Sequence, residues 1–240
     1  MKITLLGTGD AVGTPRIGCD CPQCTHAMAT GTMRLRTSLL VENEDRHILI
    51  DSSPDLRQQL LLHGSPHIDA VIWTHGHYDH FIGFGEFYRV QNIPPVFAAP
   101  PVLNYCADLF RFLTFDKVAV RPYEPFDIFG ITITPFLVKH PPAYTCGMLF
   151  ETDESRAAFT SDTNIDIPQQ SLDLLHHLDL LLLDALVPSN VSIHKHMNYL
   201  EACTLAGRLA PKDFRCVHMS HMLPWELPHL GRDREIFTFP

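Results

Sequence analysis

Basic clusters are missing from this chain. It has 18 Lys and Arg against 27 Asp and Glu, a formal charge of −9, and no run of five basic residues. Phosphate backbones are gripped by clustered Lys and Arg, so this balance speaks against a general nucleic-acid binder. Long apolar runs are scarce too: Leu180 to Leu183 is far too short to span a bilayer. Met1-Lys2 leads straight into Ile3-Thr4-Leu5-Leu6, a strand pattern without the features of a signal peptide. The expectation is a cytoplasmic chain with no membrane partner. Low-complexity linkers and internal repeats are also missing. The cysteines number seven, an odd count, and three fall within positions 19–24. In a reducing compartment that crowding suggests metal binding before disulfides.

What is present suits a soluble globular protein: 240 residues, 45% hydrophobic and 19% charged. Such a chain can bury a substantial core without disulfides. Short β-type runs occur at 3–6, 38–42, 48–51, 70–74, 96–98, 131–138, 146–151, 157–160, 180–184 and 215–218. Helical patterns occupy 54–63, 82–90, 102–110, 168–176 and 198–209. The two alternate, with a hairpin-like stretch across Asn43-Glu44-Asp45, which predicts a mixed α/β domain with sheets packed inside helices. The whole chain, 1–240, reads as one domain.

The most informative stretch is His75-Gly76-His77-Tyr78-Asp79-His80, directly after the apolar run Ala70-Val71-Ile72-Trp73-Thr74. A short buried strand delivers the residues that follow it to a sheet end, where loops converge. Imidazoles and a carboxylate suit Zn²⁺, Mn²⁺ or Fe²⁺. His75 and His77 can face one ion while Asp79 and His80 turn towards a second. Other polar residues sit where strands end: Asp51, His140, Asp162, Asp184 and His218. Open α/β sheets build their sites at such ends, so these residues are expected to meet on one rim. Singly each could be a capping Asp or a satisfied core His.

With these residues in view, the chain resembles the metallo-β-lactamase superfamily over nearly its whole length. The H-x-H-x-D-H motif is matched by His75, His77, Asp79 and His80, the later ligands by His140, Asp162 and His218, and the early strand-ending aspartate by Asp51. The resemblance implies a four-layer αββα sandwich with a dinuclear site. His75, His77 and His140 would hold one divalent metal; Asp79, His80 and His218 the other; Asp162 would bridge. Within the superfamily the chain looks most like the PhnP-type phosphodiesterases. Leu6-Gly7-Thr8-Gly9 is shared with tRNA 3′-end endonucleases of the RNase Z type, whereas Cys19-Asp20-Cys21-Pro22-Gln23-Cys24 and His218-Met219-Ser220-His221 discriminate more. In PhnP-like proteins the three Cys and the second His bind a structural zinc, implying that role for Cys19, Cys21, Cys24 and His221. A closed Cys₃His set has no open coordination position. Such a cluster is also compatible with redox chemistry or chance. The other four cysteines read as buried small hydrophobes. The tail Leu227–Ile236 departs from the Tyr-Asp-Gly-like ending of the group, which puts the substrate in question.

Two ions close together acidify a shared water to hydroxide and neutralise charge on a phosphoryl group, but the same hydroxide would serve a thioester or lactam. His196, just before the helical stretch at 198, matches a histidine that PhnP-like and RNase Z-like enzymes use near the scissile phosphate. An imidazole near pKa 6.5 can donate a proton at neutrality, and Asp184 can orient it. The expected catalytic side chains are therefore His196, Asp184 and Asp79. The expected activity is hydrolysis of a small, cyclic or linear, ribose-type phosphodiester, such as 5-phosphoribosyl 1,2-cyclic phosphate. Two other readings stand beside it: an RNase Z-like endonuclease, for which no tRNA-binding arm is found, and a metal-stabilised scaffold without activity. The oligomeric state is open; a homodimer is the commonest soluble assembly.

Overall fold

Leu180, Leu181, Leu182 and Leu183 show how the layers arise. All four are buried, yet Leu180 and Leu182 join one apolar cluster while Leu181 and Leu183 join another. Alternate side chains of a strand leave opposite faces, so a strand of consecutive leucines needs cover on both sides. The computed structural model describes residues Met1–Pro240 and supplies that cover with two sheets and flanking helices.

The first sheet contains β1 (Lys2–Gly7), β2 (Ser38–Asn43), β3 (Arg46–Ile50), β4 (Ala70–Ile72), β5 (Val96–Ala98) and β6 (Lys117–Ala119). The second contains β7 (Phe126–Ile128), β8 (Ile131–Leu137), β9 (Cys146–Glu151), β10 (Arg156–Phe159), β11 (Leu180–Asp184) and β12 (Asp213–Val217). A last strand, β13 (Ile236–Thr238), returns to the first sheet beside β1, giving the orders β13-β1-β2-β3-β4-β5-β6 and β12-β11-β10-β9-β8-β7. The helices are α1 (Pro22–Thr30), α2 (Leu56–Leu62), α3 (Tyr78–Phe81), α4 (Pro100–Asp108), α5 (Gln169–Leu174) and α6 (Tyr199–Leu209), with a 3₁₀ segment at Ile82–Phe87. This is the expected α/β sandwich.

The larger cluster, 37 buried residues, includes Ile3, Leu5 and Ile48 from the first sheet and Ile133, Phe150 and Leu182 from the second, so it fills the space between them. The smaller cluster packs Leu149, Leu181 and Leu183 against Ala202, Leu205, Ala206 and Leu209 of α6. Those four helix positions follow the i, i+3, i+4, i+7 spacing of one helical face. Asn198 caps α6: its side chain accepts from the Glu201 N–H at 3.0 Å, and the Glu201 carboxylate accepts from the Asn198 N–H at 2.8 Å. This reciprocal cap anchors the chain two residues after His196.

Strand direction places the site. β3 and β4 pair in parallel, as do β10, β11 and β12. Because β8 and β10 both pair antiparallel with β9, they also run the same way. The chain therefore leaves β3, β4, β8, β10, β11 and β12 towards one rim.

Several elements differ from the sequence reading. The helical pattern at 82–90 is a 3₁₀ segment ending at Phe87, and the one at 102–110 starts earlier, at Pro100. α1 was not expected, although Pro22 at its first turn and Gly31 at its left-handed C-cap are ordinary helix punctuation. The strands β6, β7 and β13 are three residues each, too short for a period-2 pattern to declare itself. The divergent tail is a structural strap. Asp233 accepts from the Thr8 hydroxyl and the Leu35 N–H, both at 2.7 Å, and Arg234 N–H donates to Leu5 C=O. No helix is long and apolar enough to cross a membrane.

Candidate metal centre

Three residues at the rim adopt left-handed backbone angles without being glycine: Asp51 after β3 (φ 59°), Ser161 after β10 (φ 55°) and His218 after β12 (φ 57°). Such angles cost about 1–3 kcal/mol each and persist where surrounding contacts impose them. Here each turns the chain so that a strand-end side chain faces inwards.

His75, His77, His140 and Asp162 come together as one potential ligand set. His77 Nδ1 lies 3.1 Å from His75 Nε2 and 3.0 Å from His140 Nε2, and Asp162 Oδ2 is 3.6 and 3.7 Å from those two Nε2 atoms. Asp79, His80 and His218 form a second set. Asp79 Oδ2 is 3.3 Å from His80 Nε2 and 3.4 Å from His218 Nε2. Asp162 reaches this set as well: its Oδ1 is 3.4 Å from His80 Nε2 and its Oδ2 is 3.4 Å from His218 Nε2. It therefore stands between the two.

Hydrogen bonds outside the sets decide which ring nitrogens carry lone pairs. His140 Nδ1 is 3.0 Å from the Lys195 carbonyl, which can only accept, so Nδ1 carries the proton and Nε2 is free. His80 Nδ1 donates in the same way to Asp51 Oδ2 at 2.7 Å. Thr74 gives its hydroxyl proton to Asp51 Oδ2 at 2.8 Å and so accepts from His75 Nδ1 at 3.0 Å. All three rings thus turn Nε2 inwards, bare in His75 and His140 and, in His80, freed when a cation displaces its proton, the orientation expected when an outer partner sets the tautomer of a ligand.

Burial lowers His75 well below its ordinary value and His140 to about 4, which keeps both neutral. His80 is the opposite case: burial disfavours its charge, but Asp162, Asp79 and Asp51 outweigh it and hold the ring well above its ordinary value. Burial also opposes the charge of Asp79, yet His80 and His218 hold it well below the usual carboxylate range. Asp51 is pushed up by burial, against hydrogen bonds from His80 and Thr74. His80 Nε2 and Asp162 Oδ1 are buried without a hydrogen-bond partner. Unpartnered buried polar atoms on imidazoles and carboxylates are what a divalent cation would satisfy, displacing the His80 proton as it binds, so the donor set fits such an ion.

His196 and Asp184 stand at the edge of the second set. His196 Nδ1 is 2.7 Å from Asp184 Oδ2, which also accepts from the Thr163 N–H at 2.8 Å. The His196 ring stacks on that of His218, with centroids 5.1 Å apart and a 12° interplanar angle. Asp184 Oδ1 lies 3.8 Å from His218 Nδ1, so one carboxylate faces both rings.

The Cys₃His residues meet on the side of the molecule where α1 begins. Cys19 Sγ and Cys21 Sγ lie 3.5 and 3.4 Å from His221 Nδ1, with Cys24 in the same cluster. Cys24 Sγ accepts from the Arg16 N–H at 3.3 Å, while burial raises its thiol to about 11. Cys21 is drawn down to about 6: burial opposes this, but hydrogen bonds from His221 and the Cys24 N–H prevail. His221 lies three residues after His218, so the Cys loop is tied to the strand end at the rim.

Every site residue inferred from the sequence lies in one of these groupings, with Asp51 behind His80. Sequence reasoning missed the supports: the Thr74 and Ser161 hydroxyls, the Thr163 N–H and the Lys195 carbonyl. Lys195 and His194 have exposed side chains, but their backbones matter: the His194 carbonyl accepts from Asn164 Nδ2. Cys203 departs from the expected buried set; it is half-buried, unlike Cys106, Cys146 and Cys216.

Comparison with known proteins agrees with this geometry. Residues 46–219 match the β-lactamase superfamily domain, a span running from before Asp51 to just past His218 and leaving out the Cys loop and His221. A crystal structure described as a new diphosphatase from the PhnP family superposes with a TM-score of 0.89 at 30% identity, covering 100% of this chain and 98% of that one. An octanoyltransferase of Porphyromonas gingivalis is 29% identical over 96% of this chain and 48% of its own length. A coenzyme PQQ synthesis protein B of Methylobacterium nodulans is 38% identical over 59% of this chain and 54% of its own length. The chain thus spans about half the length of the curated relatives it matches. With residues 46–219 matched by the superfamily domain and a PhnP-family structure matched from end to end, the chain belongs to the metallo-β-lactamase superfamily, in its PhnP type.

Proposed function

We propose that this chain is a dinuclear phosphodiesterase that hydrolyses a small ribose-type phosphodiester, cyclic or linear, such as 5-phosphoribosyl 1,2-cyclic phosphate. The observation that carries this reading is the His196–Asp184 pair, 2.7 Å apart, beside His218. Asp184 accepts the Nδ1 proton and orients the ring, leaving Nε2 to deliver a proton to a departing alkoxide. That service suits a phosphate ester with a poor leaving group. His75, His77 and His140 would hold one divalent ion, and Asp79, His80 and His218 the other, with Asp162 between. Ions bound there supply an acidified water as nucleophile and neutralise phosphoryl charge. Zn²⁺, Mn²⁺ and Fe²⁺ all suit the donors. Cys19, Cys21, Cys24 and His221 would hold a structural Zn²⁺ that keeps the first loop beside His218. The diphosphatase activity of the PhnP-family relative lends support, because it too is phosphoryl chemistry. The formal charge of −9 favours a small substrate over a polynucleotide.

Elemental analysis of the purified protein, with an activity screen of base-free ribosyl cyclic phosphate, nucleoside cyclic phosphates, linear diesters, diphosphates and a tRNA precursor, tests the reading. Three metals per chain and turnover of a small diester are expected. Turnover confined to diphosphates would move the reading to a diphosphatase. Turnover of the tRNA precursor alone would make the protein an endonuclease.

A further inference from the structure

A cleft of about 350 Å³ opens beside His77, on the side of the first ligand set. Its floor is Gly76 and His77. One wall is Tyr105 of α4, and the other is the loop that follows His140, ending in Tyr144. Both tyrosines are large aromatic surfaces left to solvent, 61% and 41% exposed. Apart from His77, nothing lining the cleft is ionisable below the tyrosine range; it contains no Lys, Arg, Asp or Glu.

Both walls are built rather than incidental. A side-chain carbon at position 76 would come within 2.7 Å of Tyr105 Cδ1, so the ring lies directly over the glycine backbone. Tyr105 is steadied by an edge-on contact with buried Phe81, their centroids 6.1 Å apart. On the opposite side the Ala143 N–H donates to the His140 carbonyl at 2.9 Å, closing the turn that brings Tyr144 round. The Gly between the two motif histidines therefore has a use apart from chain flexibility: it lets an aromatic ring approach the centre.

We infer that Tyr105 and Tyr144 form a specificity subsite that takes an uncharged planar ring, the nucleobase of a nucleoside phosphodiester whose phosphate sits at the neighbouring ligand sets. This rests on the phosphodiesterase reading and narrows it to nucleoside diesters, in place of a base-free ribosyl cyclic phosphate. A second phosphate would enter the cleft without a cation to meet it, whereas a base has two aromatic faces on which to stack. Base–aromatic stacking is tolerant of base identity, so the subsite should distinguish base from no base rather than one base from another.

Calorimetric titration of the metal-loaded protein with adenosine 5′-monophosphate and, separately, ribose 5-phosphate tests the subsite by binding. The nucleotide should bind about tenfold or more tightly, the size of one stacking interaction. Tyr105→Ala and Tyr144→Ala should each bring nucleotide affinity towards that of the base-free compound, while Tyr105→Phe should retain the preference. Both tyrosines are exposed, and unchanged circular dichroism would verify folding. Equal binding of the two compounds by the wild type, or a preference that survives both alanine variants, would overturn the subsite. Steady-state hydrolysis of a nucleoside cyclic phosphate and of base-free ribosyl cyclic phosphate, by the wild type and both alanine variants, separates the two levels. If base preference in binding depends on the tyrosines but no diester is hydrolysed, the subsite stands and the phosphodiesterase reading falls. If diesters are hydrolysed with no effect of base or tyrosine on KM, that reading stands and the subsite falls.

Discussion

Asp51 Oδ2 lies 2.7 Å from His80 Nδ1, both side chains wholly buried and neither adjacent in sequence. Through this contact a residue outside both ligand sets decides which nitrogen of His80 is free. The same carboxylate takes the Thr74 N–H and hydroxyl, each at 2.8 Å, and through Thr74 it also sets His75. One aspartate therefore orients one imidazole in each set.

Asp51→Asn should separate orientation from ligation. An amide can turn its NH₂ towards His80 Nδ1, which would then move the ring proton to Nε2 and block its lone pair. Loss of such an outer partner typically costs tenfold to a hundredfold in metal affinity. Competition titration with a chromogenic chelator should show that loss, while the Cys-bound metal is retained. Wild-type affinity for every metal would remove Asp51 from this role.

His80→Ala and Asp162→Ala should each abolish turnover, because His80 belongs to the second set and Asp162 spans both. Circular dichroism should remain native, since the apolar clusters are untouched. Near-normal rates in Asp162→Ala would defeat the dinuclear assignment.

His196→Ala should show its effect through the leaving group. General acid catalysis is worth about a hundredfold to ten-thousandfold, but p-nitrophenolate departs without a proton. The loss should therefore be much larger with a ribosyl diester than with bis-p-nitrophenyl phosphate, at constant metal content. Equal losses would assign His196 to phosphate binding, and no loss on either substrate would make it a bystander.

Mild chelation should remove activity before it removes zinc from the Cys₃His cluster, because a closed thiolate site holds its ion more completely than an open rim. Cys21→Ser should lower zinc content by one equivalent and loosen the loop up to Arg16. Unchanged zinc content in that variant would show that the cluster is not a metal site.

Gly83→Ala tests how the rim is supported from behind. An added side-chain carbon would collide with the Ser53 carbonyl, and Gly83 N–H donates to the Ser52 carbonyl at 3.0 Å. Overpacking of this kind typically costs about 1–3 kcal/mol. Thermal unfolding should register it, and metal affinity should fall with it, because residues 51–53 carry the Asp51 contact.

What could be read from the chain alone was whatever is local or repeated. His75 to His80 lie within one loop, so their grouping needs no knowledge of the fold. The strand-ending residues Asp51, His140, Asp162, Asp184 and His218 were legible because each closes an apolar run, and parallel strands bring such ends to one rim. Leu180–Leu183 likewise marked a strand, and the structure showed it covered on both faces. Tertiary structure alone decided the rest. A carbonyl such as that of Lys195 is identical in every residue, and nothing in the sequence marks it as the acceptor for His140, 55 positions away. The tautomers of His75, His80 and His140, the place of Asp162 between two ligand sets, and the approach of Tyr105 to Gly76 are all distances between distant segments. Those distances are set by how two sheets pack around one apolar core, and composition and periodicity describe each strand without saying how far it stands from the next.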